Sequence, residues 1–266
     1  MKIAIIGTGN LGKSIAKGLI NTKAISSLFL TKRNIAALKE FETIDNVFLT
    51  SNNTEAIQNS DIILLAVQPA HITKILAEIQ TELKSHHLVI STITGFSIAK
   101  IEEIIGTENS IIRAMPNTAI AVGKSMTCLC GNSKGLEKIS TAETIFNKLG
   151  TSIIIPESQM QAATVVCASG IAFWMRMIRA TTQAAIQLGF DAHEAQELAM
   201  HTCEGASSLL ITNGNHPEQE IDKVTTPKGC TIEGLNEMEH QGLSSSLIQG
   251  MVASYQKINT IKSEQL

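Results

Sequence analysis

Acidic residues are absent from the first stretch of this chain: Met1 to Lys39 contains neither Asp nor Glu. An anion held there meets no opposing carboxylate. Aromatic side chains are scarce as well, with one Trp and one Tyr in 266 residues, while 44% hydrophobic and 17% charged residues describe a globular protein with a substantial core. Excess charge is also lacking. A net charge of -3 gives no reason to expect a nucleic acid or an anionic membrane as partner, and small metabolites fit better.

The first residues lead directly into a strand pattern, without the cationic and apolar regions of a secretion signal, so a cytoplasmic location is expected. The cysteines, at 128, 130, 167, 203 and 230, are odd in number and argue for free thiols. Cys128-x-Cys130 lacks the CxxC spacing of a zinc knuckle; two half-buried thiols are expected there, with no metal site.

What is present begins with Ile3 to Ile6, a short apolar run suited to a strand buried on both faces, followed by Gly7-x-Gly9-x-x-Gly12 and a helical pattern. In a dinucleotide site Gly7 makes the tight turn, Gly9 lets the backbone approach a pyrophosphate and Gly12 lets the helix pack on the strand. With Thr8 in the turn, the N–H groups near Asn10 and Leu11 then face the phosphates, with the positive end of the helix dipole behind them.

A second strand over Ser27–Leu30 ends in Thr31-Lys32-Arg33, where an acid would bond the 2′-OH of NAD and an Arg accommodates the 2′-phosphate of NADP. Lys32 and Arg33 at this position, with Thr31 as a hydroxyl partner, favour NADPH, leaving NADH the weaker alternative. Strand and helix patterns go on alternating as in a doubly wound parallel sheet: strands over 46–49, 61–67, 88–93, 110–115, 125–130 and 151–155, a helix after Pro69 and one from Lys134 to Leu149. The ligand crevice of such a sheet lies beyond the carboxyl ends of its strands, which brings Ala66, Val67, Gln68 and Pro69 to the cofactor, and Met115, Pro116 and Asn117 near it. Asn53, just before a short helix expected from Thr54, is placed with them.

Residues 1–156 therefore read as a dinucleotide-binding Rossmann domain and 157–266 as a helical domain, with Pro156 as the boundary. Ser158 to Met175 carries no charge and is apolar around nearly its whole helical circumference, so it reads as a helix buried on every side. Arg176 and Arg179 follow at once and argue against a membrane span. A helical tail of this size cannot enclose such a helix alone, which calls for a second subunit, most simply in a two-fold dimer. Further helices are expected from Ala192 to Ile211, with Asp191 as N-cap, and from Thr231 onward. Between them His216 to Thr231 reads as a loop in which Thr225, Thr226, Gly229 and Thr231 gather hydroxyls and N–H groups suited to a small carboxylate. His201, His216 and His240 read as structural or exposed.

The glycine turn, Ala66-Val67-Gln68-Pro69, Arg113-Ala114-Met115-Pro116-Asn117-Thr118, Ala168-Ser169-Gly170 and Asp222-Lys223-Val224-Thr225-Thr226-Pro227-Lys228-Gly229-Cys230-Thr231 together resemble the pyrroline-5-carboxylate reductase family over essentially the full length. The resemblance implies NAD(P)H-dependent reduction of 1-pyrroline-5-carboxylate to L-proline, a Rossmann domain, and a helical domain interlocked in a homodimer, often with five dimers in a ring as a decamer. It also implies that Thr231 is the catalytic hydroxyl on the imine nitrogen, that Thr226, Gly229 and Cys230 hold the imino acid's carboxylate, and that Met115 to Asn117 border the nicotinamide. The family's usual Gly-Ser-Gly-Pro-Ala-Tyr is here Ala168 to Phe173, its Ser-Pro-Gly-Gly-Thr-Thr is Thr226 to Thr231, and its Lys before Pro69 is Gln68; Lys228 thus replaces a glycine. Alternative readings are a reductase of another cyclic imine, a deazaflavin-dependent NADP oxidoreductase, and a non-catalytic NADP-binding sensor or scaffold.

Overall fold

The computed structural model describes residues 1–22 and 25–264. Eight strands form one sheet: β1 (Lys2–Ile6), β2 (Ser27–Thr31), β3 (Val47–Thr50), β4 (Ile62–Leu65), β5 (Leu88–Ser91), β6 (Ser110–Met115), β7 (Ser125–Gly131) and β8 (Gly150–Ile154). Their order is β3-β2-β1-β4-β5-β6-β7-β8. Every pairing is parallel except β6 with β7, where Met115 lies opposite Cys128. The order reverses between β1 and β4, so the ligand crevice of this sheet opens at the carboxyl ends of these two strands.

Helices in this half are α1 (Asn10–Asn21), α2 (Asn53–Gln58), α3 (Ile72–Ile79), α4 (Ile98–Ile105), α5 (Ser133–Glu137), α6 (Ile139–Asn147) and α7 (Met160–Ala163). They cover both faces, which is why the central strands are apolar without alternation. Ile3, Ile5, Leu28, Leu30, Leu64 and Ile90 pack with Ile15 and Leu19 of α1 and Phe146 of α6. Ala4, Ile6, Ile63, Leu65, Val89 and Met115 pack on the opposite face with Leu76, Ile101 and Met160.

The helix expected from Lys134 to Leu149 is broken at Lys138 into α5 and α6. Two anchors account for the break. Gly135 lies so close to β6 that a Cβ there would meet the carbonyl of Ile111 at 2.0 Å, and the Lys138 ammonium donates to the carbonyls of Ser85, His86 and His87 at 3.2, 3.0 and 3.3 Å.

By packing, residues 1–169 together with the chain from Tyr255 onward form one unit, and Gly170–Ser254 a second. After Pro156 the chain runs through α7 and a π-helical turn, Thr164–Ser169, before leaving the first unit. Glu157 fastens this crossing: one carboxylate oxygen accepts from Arg113 Nη1 at 2.8 Å and from the Ile98 N–H, at the start of α4, at 2.7 Å. Arg113 is 5% exposed, so the ion pair satisfies a cation that water does not reach.

The second unit contains α8 (Gly170–Gln187), α9 (Ala192–Asn213), α10 (Pro217–Val224), α11 (Cys230–His240) and the start of α12 (Leu243–Glu264). Asp191 caps α9 as expected, its carboxylate accepting from the N–H groups of His193 and Glu194. Two expectations fail. Half of the loop from His216 is helix α10, because His216 Nδ1 accepts from the Glu218 N–H at 3.2 Å, Gln219 Oε1 accepts from the His216 N–H at 3.2 Å, and Pro217 occupies the first helical position. The segment 158–175 is not one regular helix but runs through α7, the π-helical turn and the start of α8; Trp174 and Met175 are 58% and 61% exposed, in keeping with the expectation that a single chain does not enclose it.

Glu157→Ala leaves Arg113 buried without its anion and α4 without one amide partner. A loss of about 3 kcal/mol of unfolding free energy is expected, read by urea denaturation monitored by circular dichroism.

Candidate active site

Beyond β1 the chain turns through Gly7 at φ +87°, in the left-handed region. A Cβ on Gly7 would stand 2.2 Å from Val67 Cγ1, so only glycine lets the ends of β1 and β4 approach this closely. The Gly7 N–H donates to the Thr31 hydroxyl at 3.2 Å, the Thr8 N–H to the Thr31 carbonyl at 2.8 Å and the Gly9 N–H to the Gly7 carbonyl at 2.8 Å. These bonds consume the amides inside the turn.

The next amides are different. Gly9 is the N-cap of α1 and supplies no side-chain cap, so the N–H groups of Asn10, Leu11 and Gly12 have no partner within the helix. Above Gly9 the space is open, with nothing within 4 Å of a built Cβ. Gly12 faces the other way, where a Cβ would meet the Gly7 carbonyl at 3.0 Å and Ile5 Cγ2 at 3.3 Å. Orphan amides, a helix N-terminus and an uncovered Cα together fit a pyrophosphate.

Not every expected cofactor residue lies on this open surface. Thr8 is fully buried, and Thr31, 2% exposed, braces the turn from beneath, so neither offers its side chain to a nucleotide. Lys32 is half-buried and Arg33 exposed beyond the end of β2, and neither has an ion-pair partner among the described residues. The first acid of the chain, Glu40, is taken up by Lys13 and Lys17 at 2.7 and 2.6 Å, bonds that hold its carboxyl below the usual range. The basic pair at the end of β2 therefore stands free for a phosphate.

Asn53 lies at the start of α2, but its amide donates to Glu78 at 3.0 Å. Ala66 and Val67 adjoin the glycine turn, and Gln68 and Pro69 are exposed where a 3-10 turn begins. Met115 and Pro116 are buried at the end of β6. Asn117, 6% exposed, is fully engaged: its amide oxygen accepts from Ala119, its amide nitrogen donates to the Cys167 carbonyl at 3.0 Å, and its own N–H donates to Ser125. Asn117 shapes the crevice edge without a free polar atom to offer.

In the second unit, Thr226-Pro227-Lys228-Gly229 closes a turn in which the Gly229 N–H donates to the Thr226 carbonyl at 3.0 Å. That amide is therefore unavailable for a carboxylate, contrary to expectation. A Cβ on Gly229 would meet the Thr226 hydroxyl at 2.3 Å, and Lys228 takes a φ of +58°. Proline followed by a left-handed residue is the pattern of a type II turn, whose third position favours glycine and costs another residue about 1 kcal/mol. Lys228 keeps the backbone shape for which the family's glycine is suited.

Gly229 is the N-cap of α11 and contributes no side chain, so the amides of Cys230, Thr231 and Ile232 are the helix's orphan donors. The helix starts one residue earlier than expected, which adds the Cys230 amide to its orphan donors. Thr231 sits one step inside the helix and does not cap it; its hydroxyl has no partner among the described residues. Three amides and one hydroxyl thus remain available to an anion bearing a second polar atom. His201 pairs with Glu197 and Glu204 on the exposed side of α9, and His216 is a cap, so neither converges on this turn. Among the described residues no group of three His, Cys, Asp or Glu side chains converges as metal ligands do.

Residues 157–261 match the family described as pyrroline-5-carboxylate reductase dimerisation, and residues 2–95 match NADP oxidoreductase, coenzyme F420-dependent. The deazaflavin resemblance is thus confined to part of the dinucleotide-binding half. Pyrroline-5-carboxylate reductase 1 of Dictyostelium discoideum is 40% identical over 99% of this chain, which spans half of that protein's length. Pyrroline-5-carboxylate reductase 2 of the same organism is 39% identical, the alignment covering 96% of this chain and 91% of the relative. The crystal structure of a Plasmodium falciparum pyrroline carboxylate reductase with NADP bound superposes with a TM-score of 0.88 at 26% identity, covering 98% of each chain. With nearly full-length likeness in sequence and in fold, the chain belongs to the pyrroline-5-carboxylate reductase family.

Proposed function

We propose that the chain reduces 1-pyrroline-5-carboxylate to L-proline, the last step of proline biosynthesis, with NADPH as the preferred donor and NADH as a weaker one. The observation that carries this reading is a division of labour within one chain. An open glycine turn with an unopposed basic pair suits a phosphorylated dinucleotide, and an uncapped helix with a free threonine hydroxyl suits a small imino acid.

When bound, the nucleotide would supply the hydride for an imine carbon made electrophilic by protonation of the ring nitrogen. The protein's task is orientation and charge. The amides of Asn10 and Leu11 hold the pyrophosphate, and Arg33 and Lys32 bond the ribose phosphate. The amides of Cys230 and Thr231 hold the substrate carboxylate, with Thr226 shaping the turn, and the Thr231 hydroxyl fixes the ring nitrogen. No general base is needed, in keeping with the placement of the histidines.

The second unit presents large apolar side chains to the outside, among them Trp174, Leu188 and Ile211 at 58%, 81% and 83% exposure. Together with the dimerisation match this supports a homodimer through the helical region, and rings of dimers such as a decamer are the proposed higher assembly. The helical stretch over 157–187 is by length and composition apolar enough to cross a membrane, with 17% of its most apolar window buried. Arg176 and Arg179 within it support packing against a partner's helices and a cytoplasmic protein instead.

The reading is tested by following NADPH absorbance with a panel of cyclic imines. Fast turnover of pyrroline-5-carboxylate, slower with NADH, is expected; oxidation confined to another ring size would reassign the substrate, and tight NADPH binding without turnover on any imine would mark a sensor. Thr231→Ala should lower kcat by about 100-fold while leaving NADPH affinity unchanged. Gly9→Ala meets no clash in the protein alone, so stability should stay within about 1 kcal/mol of the parent while the Kd for NADPH, by calorimetry, rises at least about tenfold.

A further inference from the structure

Five free cysteines divide sharply by surroundings. Cys203 and Cys230 lie in the second unit, and neither makes a hydrogen bond to another sulfur among the described residues. Cys130, 3% exposed on β7, has its thiol pushed up to about 11 by burial. Cys128, on the same face of β7, is also buried, yet its sulfur lies 3.8 Å from that of Cys167 on the π-helical turn.

We propose that Cys128 and Cys167 form a built-in dithiol site that hydroperoxides oxidise reversibly to an intramolecular disulfide. Geometry carries the inference. The two sulfurs are already in contact and need close only from 3.8 Å to about 2.05 Å, which side-chain torsions and the irregular turn can supply. The two thiols are also unequal. The hydrogen bond to Cys167 and burial push the Cys128 thiol up, whereas the same contact pulls the Cys167 thiol down. Cys167 is the more accessible of the two, so it is the attacking thiolate.

In the first step the Cys167 thiolate attacks one peroxide oxygen. The O–O bond breaks, hydroxide leaves and takes up a proton as water, and the sulfur becomes a sulfenic acid. In the second step the Cys128 sulfur attacks the Cys167 sulfur, the S–O bond breaks, and the Cys128 proton leaves with the hydroxyl as a second water. Two thiols are oxidised, one hydrogen peroxide is reduced, and a dithiol reductant reverses the change.

The site adjoins the crevice: Cys128 lies opposite Met115 in the sheet, and the Cys167 carbonyl accepts from Asn117. Any effect of the bridge on turnover rests on the proposed function, but its formation does not. The test treats the reduced, full-length protein with stoichiometric hydrogen peroxide, alkylates the remaining thiols and maps peptides by mass spectrometry without reduction. The expected result is a Cys128–Cys167 cross-linked peptide with Cys130, Cys203 and Cys230 alkylated, and full recovery of thiols with dithiothreitol. Cys128→Ser should stop the reaction at a dimedone-reactive sulfenic acid on Cys167. Oxidation at Cys203 or Cys230 with both Cys128 and Cys167 alkylated, or separate oxidation of those two without a cross-link, would overturn the proposal.

Discussion

The close approach of Gly7 to Val67 is the constraint on which the first half of the molecule depends. At the point where strand order reverses, the backbones leaving β1 and β4 come so near that a methyl group on Gly7 would overlap Val67. This contact, with the bonds from Gly7 and Thr8 to Thr31, sets the direction in which α1 leaves the sheet. Because Gly9 caps that helix without a side chain, its first amides have no partner within the helix. Packing, not a reactive side chain, creates the binding surface.

The same device recurs in the helical unit on a smaller scale. Thr226 folds against Gly229, the turn closes through the Gly229 amide, and α11 begins with orphan amides next to the Thr231 hydroxyl. Lys228 occupies a left-handed backbone position, φ +58°, at a modest conformational cost that a glycine would not bear.

Much of this was legible in the sequence because it rests on local rules. Apolar runs bounded by glycine and proline revealed the strands, and the glycine spacing located the turn before α1. The missed features depend on partners distant along the chain. Asn117 and Thr31 read as ligand contacts because polar residues at strand ends suggest solvent, whereas one is bound by Cys167 and Ser125 and the other by Gly7. Helix α10 was hidden because histidine is an uncommon cap, and the break at Lys138 because three carbonyls from a remote loop draw its ammonium. Glu157 and Arg113 gave no signal of pairing across the intervening residues. The apolar stretch from Ser158 was read correctly in composition, but its burial requires surfaces that a single chain does not have.

Under the proposed function the protein is a scaffold of unsatisfied donors, with the amides of α1 and the basic pair after β2 assigned to a phosphorylated dinucleotide and the amides and hydroxyl of α11 assigned to a compact imino acid. The measurement that tests this most directly is a crystal structure of the assembled protein with NADPH and L-proline. The account predicts the pyrophosphate on the amides of Asn10 and Leu11, the 2′-phosphate beside Arg33, and the Thr231 hydroxyl within hydrogen-bond reach of the proline nitrogen. A nucleotide bound away from the glycine turn, or a proline nitrogen remote from Thr231 in every subunit, would contradict it.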